Sequence, residues 1–294
     1  MVVSLAELAC LDCQIWLGTG EKAASRLNLV QSTISRNVQK VLRDFHLEVS
    51  RNAGRTILHG DQSLLNLQRE CHQQYRWAHQ LPLRLDAQYY SGPLLCHPAP
   101  EGWLLGEFDF MELATPLNLL RHGIVDAWLG VFPDAPDADD PDLTCIHLCR
   151  YPLHLVVARG HPLLDLGKRI TLDDVRDYPS LALPDGAYPI LQERLESIGL
   201  WNSPSRVYRY RHELWHGRTA DQVTVGYASA FTMKLFATQQ VMLPIALDIE
   251  LGDCLIVRRR YREHPRLLAL LELLQQRVTE LAASIDELQV VPLG

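Results

Sequence analysis

The sequence predicts an N-terminal winged helix-turn-helix joined by a linker helix to a larger, two-lobed α/β region. Three observations carry that expectation. Residues 26–55 hold six basic side chains (Arg26, Arg36, Lys40, Arg43, Arg51, Arg55) against Asp44 and Glu48, a local positive excess in a chain whose formal net charge is −7. Apolar residues recur at threes and fours between Leu64 and Leu81. From Arg84 onward short β-rich runs alternate with helical ones, the texture of a sheet covered by helices.

A chain of 294 residues is long for one domain and comfortable for two or three. Its apolar fraction of 47% and charged fraction of 21% are those of ordinary globular material. No apolar run approaches the roughly 18–20 residues of a membrane span. Glu7 and Asp12 interrupt what would be the apolar core of a leader, so the expected location is the cytoplasm. Seven cysteines without framework spacing suit reduced thiols. Cys10 and Cys13, at i and i+3 on an apolar helix, read as core, as do Cys145 and Cys149 in a strand-like run. The acidic loop "PDAPDADDPD" lacks the glycine and terminal glutamate of a calcium loop and reads as solvated. No cofactor is expected.

Within the basic module, Lys22–Leu27 reads as a short helix, Asn28-Leu29 as a turn, and Gln31–Phe45 as a longer helix. Ile34, Val38, Val41 and Phe45 recur at i, i+4, i+7 and i+11, one buried stripe. The opposite face carries Ser32, Ser35, Arg36, Gln39 and Arg43. These hydroxyls, amides and guanidinium groups hydrogen-bond to base edges and phosphates, where a merely solvated face would favour Glu and Lys. "LEVSRNAGRTILHG" then reads as a two-stranded turn with Arg51 and Arg55 near its tip, placed like a wing against a phosphate backbone. The expected DNA contacts are Gln31, Ser32, Thr33, Ser35, Arg36, Gln39, Arg51 and Arg55.

The stretch "AASRLNLVQSTISRNVQKV" resembles the DNA-binding helices of the LysR-type transcriptional regulators, through Ala23, Ala24, Leu27, Gln31, Ser32, Ser35, Arg36 and Val38. The likeness continues in "VDAWLGV" and in "ARGHPLL…ITLDDVRDYPSLAL", and so covers nearly the whole chain. It implies a winged helix-turn-helix over 1–60, a linker and dimerisation helix over 61–82, and an effector-binding domain of periplasmic-binding-protein type over 83–294. One lobe would span about 84–157 with 256–294, the other about 158–255. It also implies a homodimer or homotetramer on double-stranded DNA, answering to a small effector, often an organic acid. Thr19-Gly20 and His46 differ from the family's pattern, which leaves a LysR-like protein with altered DNA binding, acting through protein partners, as a further reading.

On the linker, Leu64, Leu67, Cys71 and Tyr75 are the expected dimer seam, continued by Ala78 and Leu81 until Pro82 ends the helix. "LRLDAQ", "LLGEFDF" and "VDAWLGVF" read as strands, "ELATPLNLLRHG" as a helix closed by Gly123, and "CIHLCRYPLHLVVARGHPLL" as two strands. "ITLDDVRDYPSLAL" gives a Thr-capped helix and a strand, and "PILQERLESIGL" a helix. By resemblance the effector cleft takes Gln88, Tyr89, Tyr90 and Ser91, with Phe132, Pro184 and Asp185 facing them. Ser91 and the backbone N–H groups of a helix start would suit an anion there.

"RHELWHG" spells His212-Glu213-x-x-His216, the two ligands and general base of a zinc hydrolase. Gly217 follows at once and strand-like alternation resumes within a few residues, so the helix such a site needs is too short. A zinc-dependent hydrolase is thus the alternative from another functional class, and the expectation is no metal and no catalysis.

Overall fold

A computed structural model describes residues 2–52, 55–203, 209–210, 221–235 and 240–293, with the side chains of residues 52 and 55 left aside. Helices α1 (Leu5–Leu17), α2 (Gly20–Leu27) and α3 (Gln31–Asp44) lead into a hairpin of β1 (Glu48–Asn52) and β2 (Arg55–His59), then α4 (Ser63–Ala78). Next come β3 (Leu83–Ala87), α5 (Gly92–Leu95), β4 (Trp103–Leu105), α6 (Ala114–Arg121) and β5 (Ala127–Phe132). Three strands follow, β6 (Leu143–His147), β7 (Cys149–Pro152) and β8 (His154–Ala158), and then α7 (Leu172–Arg176) and α8 (Pro189–Ser197). The last elements are β9 (Gly226–Ala228), α9 (Ala230–Leu235), β10 (Gln240–Met242), β11 (Glu250–Arg258), α10 (Pro265–Ala282) and β12 (Gln289–Val290). Contacts divide the chain into two compact units. The first is Met1–Asp86 with Ala99–Glu107 and Thr115–Trp128; the second is Ala87–Pro98, Phe108–Ala114 and Leu129–Gly294.

In the first unit, α1 starts on a capping box in which Ser4 Oγ accepts from Glu7 N–H and Glu7 accepts from Ser4 N–H. It ends at left-handed Gly18, φ 83°. Thr19 then caps α2 by accepting from Lys22 N–H (3.2 Å), so the departure at Thr19-Gly20 serves as a helix start. Ala23 and Ala24 are buried, as are Leu8, Leu11, Cys10, Cys13 and Trp16 of α1 and the expected stripe Ile34, Val38, Val41 and Phe45. The hairpin pairs antiparallel from Glu48↔His59 to Asn52↔Arg55. β3 runs parallel to β4, Leu83 opposite Trp103.

A buried charge network joins these pieces. Asp12 of α1 accepts from Arg69 Nε of α4 at 2.9 Å and lies 3.6 Å from Arg84 Nη1 of β3. Asp126, just before β5, accepts from Arg76 Nη2 (3.0 Å) and Gln73 Nε2 (3.0 Å) of α4, and from the Arg84 backbone N–H (2.9 Å). Trp16 Nε1 donates to Asp86 at 2.6 Å. Arg76, at 7% exposure, is the most accessible of these charged residues, so solvent screens the ion pairs little. Left-handed Gly123 (φ 67°) closes α6, and a Cβ there would crowd the Gln73 side chain at 3.2–3.3 Å.

In the second unit β11 pairs antiparallel with β6 (Arg258↔Leu143 to Cys254↔His147) and with β7, while β12 adds to β7. A separate three-stranded sheet runs β10-β8-β9, both pairings antiparallel. Four expectations need correction. Helix α4 stops at Ala78, short of Leu81, because Gln80 turns left-handed (φ 53°). The strand expected in "LLGEFDF" ends at Leu105, because Phe108 takes φ 52°. "SLAL" makes only isolated bridges, Ser180 with Val225 and Leu181 with Ser203. "CIHLCRYPLHLVV" holds three strands where two were expected. Thr171 does cap α7, in a capping box with Asp174.

Asp253 of β11 is fully buried, its Oδ2 accepting from the Tyr151 hydroxyl at 2.8 Å. Burial lifts its pKa from the usual carboxylate range to about 6. A raised carboxyl pKa means the folded state holds the proton more tightly. Its contribution is therefore complete below the unfolded pKa of about 4 and is lost as pH rises through about 6. Asp253→Asn removes that titration. In urea titrations the variant should gain roughly 2–3 kcal/mol on the parent between about pH 4 and about pH 8. A difference between the two proteins that is the same at both pH values would contradict it.

Candidate functional site

The outer face of α3 is open. Gln31, Ser32, Ser35, Arg36, Gln39 and Arg43 are exposed and Thr33 is half-buried, while Ile34, Val38 and Val41 face inward. No side chain caps the α3 N-terminus, where Val30 holds the cap position, so first-turn amides remain for a phosphate oxygen. Arg51 stands exposed on β1; Arg55 opens β2, and its side chain lies outside the description. The basic cluster is smaller than its sequence count. Arg26, with Lys22, is held by Glu107 (3.0 and 2.9 Å), and Lys40 by Glu7 (2.5 Å). Arg36 and Arg51 form no ion pair among the described residues.

Helix α4 shows two faces. Leu65, Gln68, Arg69, His72, Gln73, Arg76 and Trp77 are buried against its own unit. Leu64 (66% exposed), Leu67 (63%), Tyr75 (44%) and Cys71 form the opposite, exposed face. The expected seam residues thus share one exposed face of α4.

The second unit contains a cavity of about 80 Å³ walled by Gln88, Tyr89, Tyr90, Tyr188, Trp201, Tyr227, Leu181, Leu191, Leu251 and neighbouring residues. Three of the expected cleft residues thus meet here. Ser91 is fully buried but outside the lining. Phe132 lies beside the wall residue Val131, its ring edge-on to His147 and under Arg150 at 5.3 Å. Pro184 is buried next to Leu183 of the wall, and Asp185 is exposed, accepting from Gln192 Nε2 at 2.8 Å. Tyr89 stacks on Tyr210 (4.3 Å between centroids) and meets Tyr90 edge-on (5.2 Å). Burial pushes the hydroxyls of Tyr89, Tyr90 and Tyr188 up, so all three stay protonated. Trp201 sits at φ 65°, a region bulky residues rarely adopt, with its N–H donating to the Tyr227 hydroxyl at 3.0 Å. Tyr188 holds the cap position of α8, Trp201 follows that helix and Tyr227 lies in β9, and no spacing in the sequence joins them.

His212, Glu213 and His216 lie outside the described residues. Among the described residues no three His, Cys, Asp or Glu side chains cluster as metal ligands.

The model of the LysR substrate-binding domain matches residues 107–279. No curated protein matches the chain in sequence. Among solved structures, a full-length OxyR of Pseudomonas aeruginosa carrying one cysteine substitution is similar at a TM-score of 0.58 and 17% identity, over 93% of this chain and 95% of that one. A Corynebacterium glutamicum OxyR cysteine mutant with bound H2O2 gives 0.54 and 16%, over 96% and 95%. CbnR in complex with its target DNA gives 0.52 and 17%, over 94% and 100%. At these identities the solved structures show the fold: a winged helix-turn-helix, a linker helix and a two-lobed α/β effector-binding domain. With the domain model covering more than half of its length, the chain belongs to the LysR family of transcriptional regulators.

Proposed function

We propose that this chain is a cytoplasmic regulator that binds operator DNA through α3 and the wing, pairs through α4, and answers to a small molecule held in the cavity of the second unit. It acts by binding and catalyses no reaction. The observation that carries the reading is the outer face of α3, a row of exposed hydroxyl, amide and guanidinium side chains on a helix whose inner face is buried. Ser35, Arg36 and Gln39 would meet base edges, and Ser32, Arg51 and Arg55 the phosphates. CbnR, solved with its target DNA, shares the fold. Among the described residues no helix is long and apolar enough to cross a membrane.

Two variants test this. Arg36→Ala should weaken binding to a cognate duplex by about 1–3 kcal/mol, read by fluorescence anisotropy, with the variant's folding checked by circular dichroism. Unchanged affinity would take α3 out of the interface. Leu67→Asp places a charge in the exposed α4 face, where burial of each leucine against a second copy is worth roughly 1.5–3 kcal/mol. It should shift the protein toward monomer in sedimentation and lower its DNA affinity in step. A variant that stays fully oligomeric would place assembly elsewhere.

A further inference from the structure

The cavity of the second unit is unusual in what its wall withholds. Among the described residues lining it there is no Lys, Arg, His, Asp or Glu. Three helix starts lie near it, and each already has first-turn N–H groups taken; at α9 Ser229 Oγ accepts from Thr232 N–H at 3.3 Å. At α8, the N–H groups of Ile190 and Leu191 donate to the carboxylate of Asp134 at 2.7 and 3.0 Å. At α5, Gly92 N–H donates to Gln88 O (2.8 Å), Pro93 has no N–H, and Leu94 N–H donates to Ser91 O (3.1 Å). The Ser91 hydroxyl stands outside the lining and the Gly92 and Leu94 amides are taken, so these groups do not place an anion in the cavity.

What the wall does offer is two buried N–H donors. The Gln88 side chain takes a hydrogen bond from the Tyr188 hydroxyl on Oε1 (2.8 Å), and its Nε2 has no partner among the described residues. The indole Nε1 of Trp201 has none among them either. Both residues line the cavity, and both are more than nine-tenths buried. An unsatisfied buried donor is costly to the protein, and a ligand that accepts from it recovers that cost. An ionised carboxylate would reach the same donors only by giving up its hydration where no cation replaces it. The volume of about 80 Å³ admits one compact ring, or on the order of six waters.

We infer that this cavity selects an uncharged aromatic carbonyl compound, its ring against Tyr89 and Tyr90 and its oxygen accepting from Gln88 Nε2 and Trp201 Nε1, and that it rejects carboxylates of the same shape. The inference rests on the reading of this cavity as the effector site and names the class of effector.

The test is a matched pair of probes, para-fluoroacetophenone and para-fluorobenzoate, titrated by fluorine NMR into the full-length protein at neutral pH. The ketone should broaden and shift saturably, and the carboxylate should remain unperturbed at the same millimolar concentration. Trp201→Phe keeps an aromatic side chain, smaller than indole, and removes the donor, so it should weaken the ketone about tenfold, the value of one hydrogen bond. Gln88→Leu should do the same and supplies a second variant if the first does not fold. Carboxylate binding equal to or tighter than the ketone, no binding of either probe, or ketone binding indifferent to both variants would each overturn the inference. Duplex binding by the ligand-free protein is scored separately. A protein that binds DNA yet prefers the carboxylate loses only this inference, whereas one that binds no duplex loses the regulator reading and leaves the probe result standing.

Discussion

Two buried carboxylates, Asp12 and Asp126, organise the first unit. Each is almost wholly removed from solvent and each is shared between elements: Asp12 between α4 and β3, Asp126 between α4 and the backbone of β3. A buried ion pair adds little net stability compared with apolar packing, but losing one partner costs several kcal/mol, because the other charge is left uncompensated. The network therefore acts as a specification. Arg69 and Arg76 lie seven residues apart on α4 and must point to the same side to meet their carboxylates. That choice rotates Leu64, Leu67, Cys71 and Tyr75 to the other side. The exposed face of α4 is thus a consequence of where its arginines go.

The same logic explains how the module can present α3. Trp16 reaches Asp86, Arg26 and Lys22 reach Glu107, and Lys40 reaches Glu7. These side chains commit their polarity to holding α1 and α2, which leaves the outer surface of α3 to Ser32, Ser35, Arg36, Gln39 and Arg43. The second unit holds its own polar groups in the same internal fashion. Asp134 closes the start of α8, and Tyr188 takes up one end of Gln88, so the wall keeps aromatic and aliphatic surface with two donors unpartnered among the described residues. A ligand that satisfies those donors stabilises the state in which they line the cavity, in proportion to its preference for that state.

Local pattern made the module legible. The α3 stripe, the β1–β2 pairing, the Thr171 capping box and the exposed leucines of α4 all follow from periodicity or cap chemistry over a few residues. What escaped reading is non-local or depends on a single dihedral. Arg26 and Lys40 count as basic in the sequence, but Glu107 and Glu7 claim them only in the fold. The early end of α4 and of β4 comes from left-handed Gln80 and Phe108, residue types that carry no such signal. The aromatic wall draws on Tyr89, Tyr188, Trp201 and Tyr227, which no motif links. Asp134 caps a helix more than fifty residues away, and with that contact goes the expectation of an anion at a free helix start.

The central claim is that Asp12, Asp126 and their arginines make the N-terminal helix, the linker helix and the first strand of the α/β region one cooperative body. Native-state hydrogen exchange on the full-length protein across low denaturant tests it directly, because each amide reports the free energy of the opening that exposes it. The account predicts that amides in α1 (Leu11, Trp16), α4 (Gln73, Trp77) and β3 (Leu85) converge on a single opening free energy. Amides of α1 that open at markedly lower free energy than Leu85 would mean that the module hangs loosely on its linker, and would contradict it.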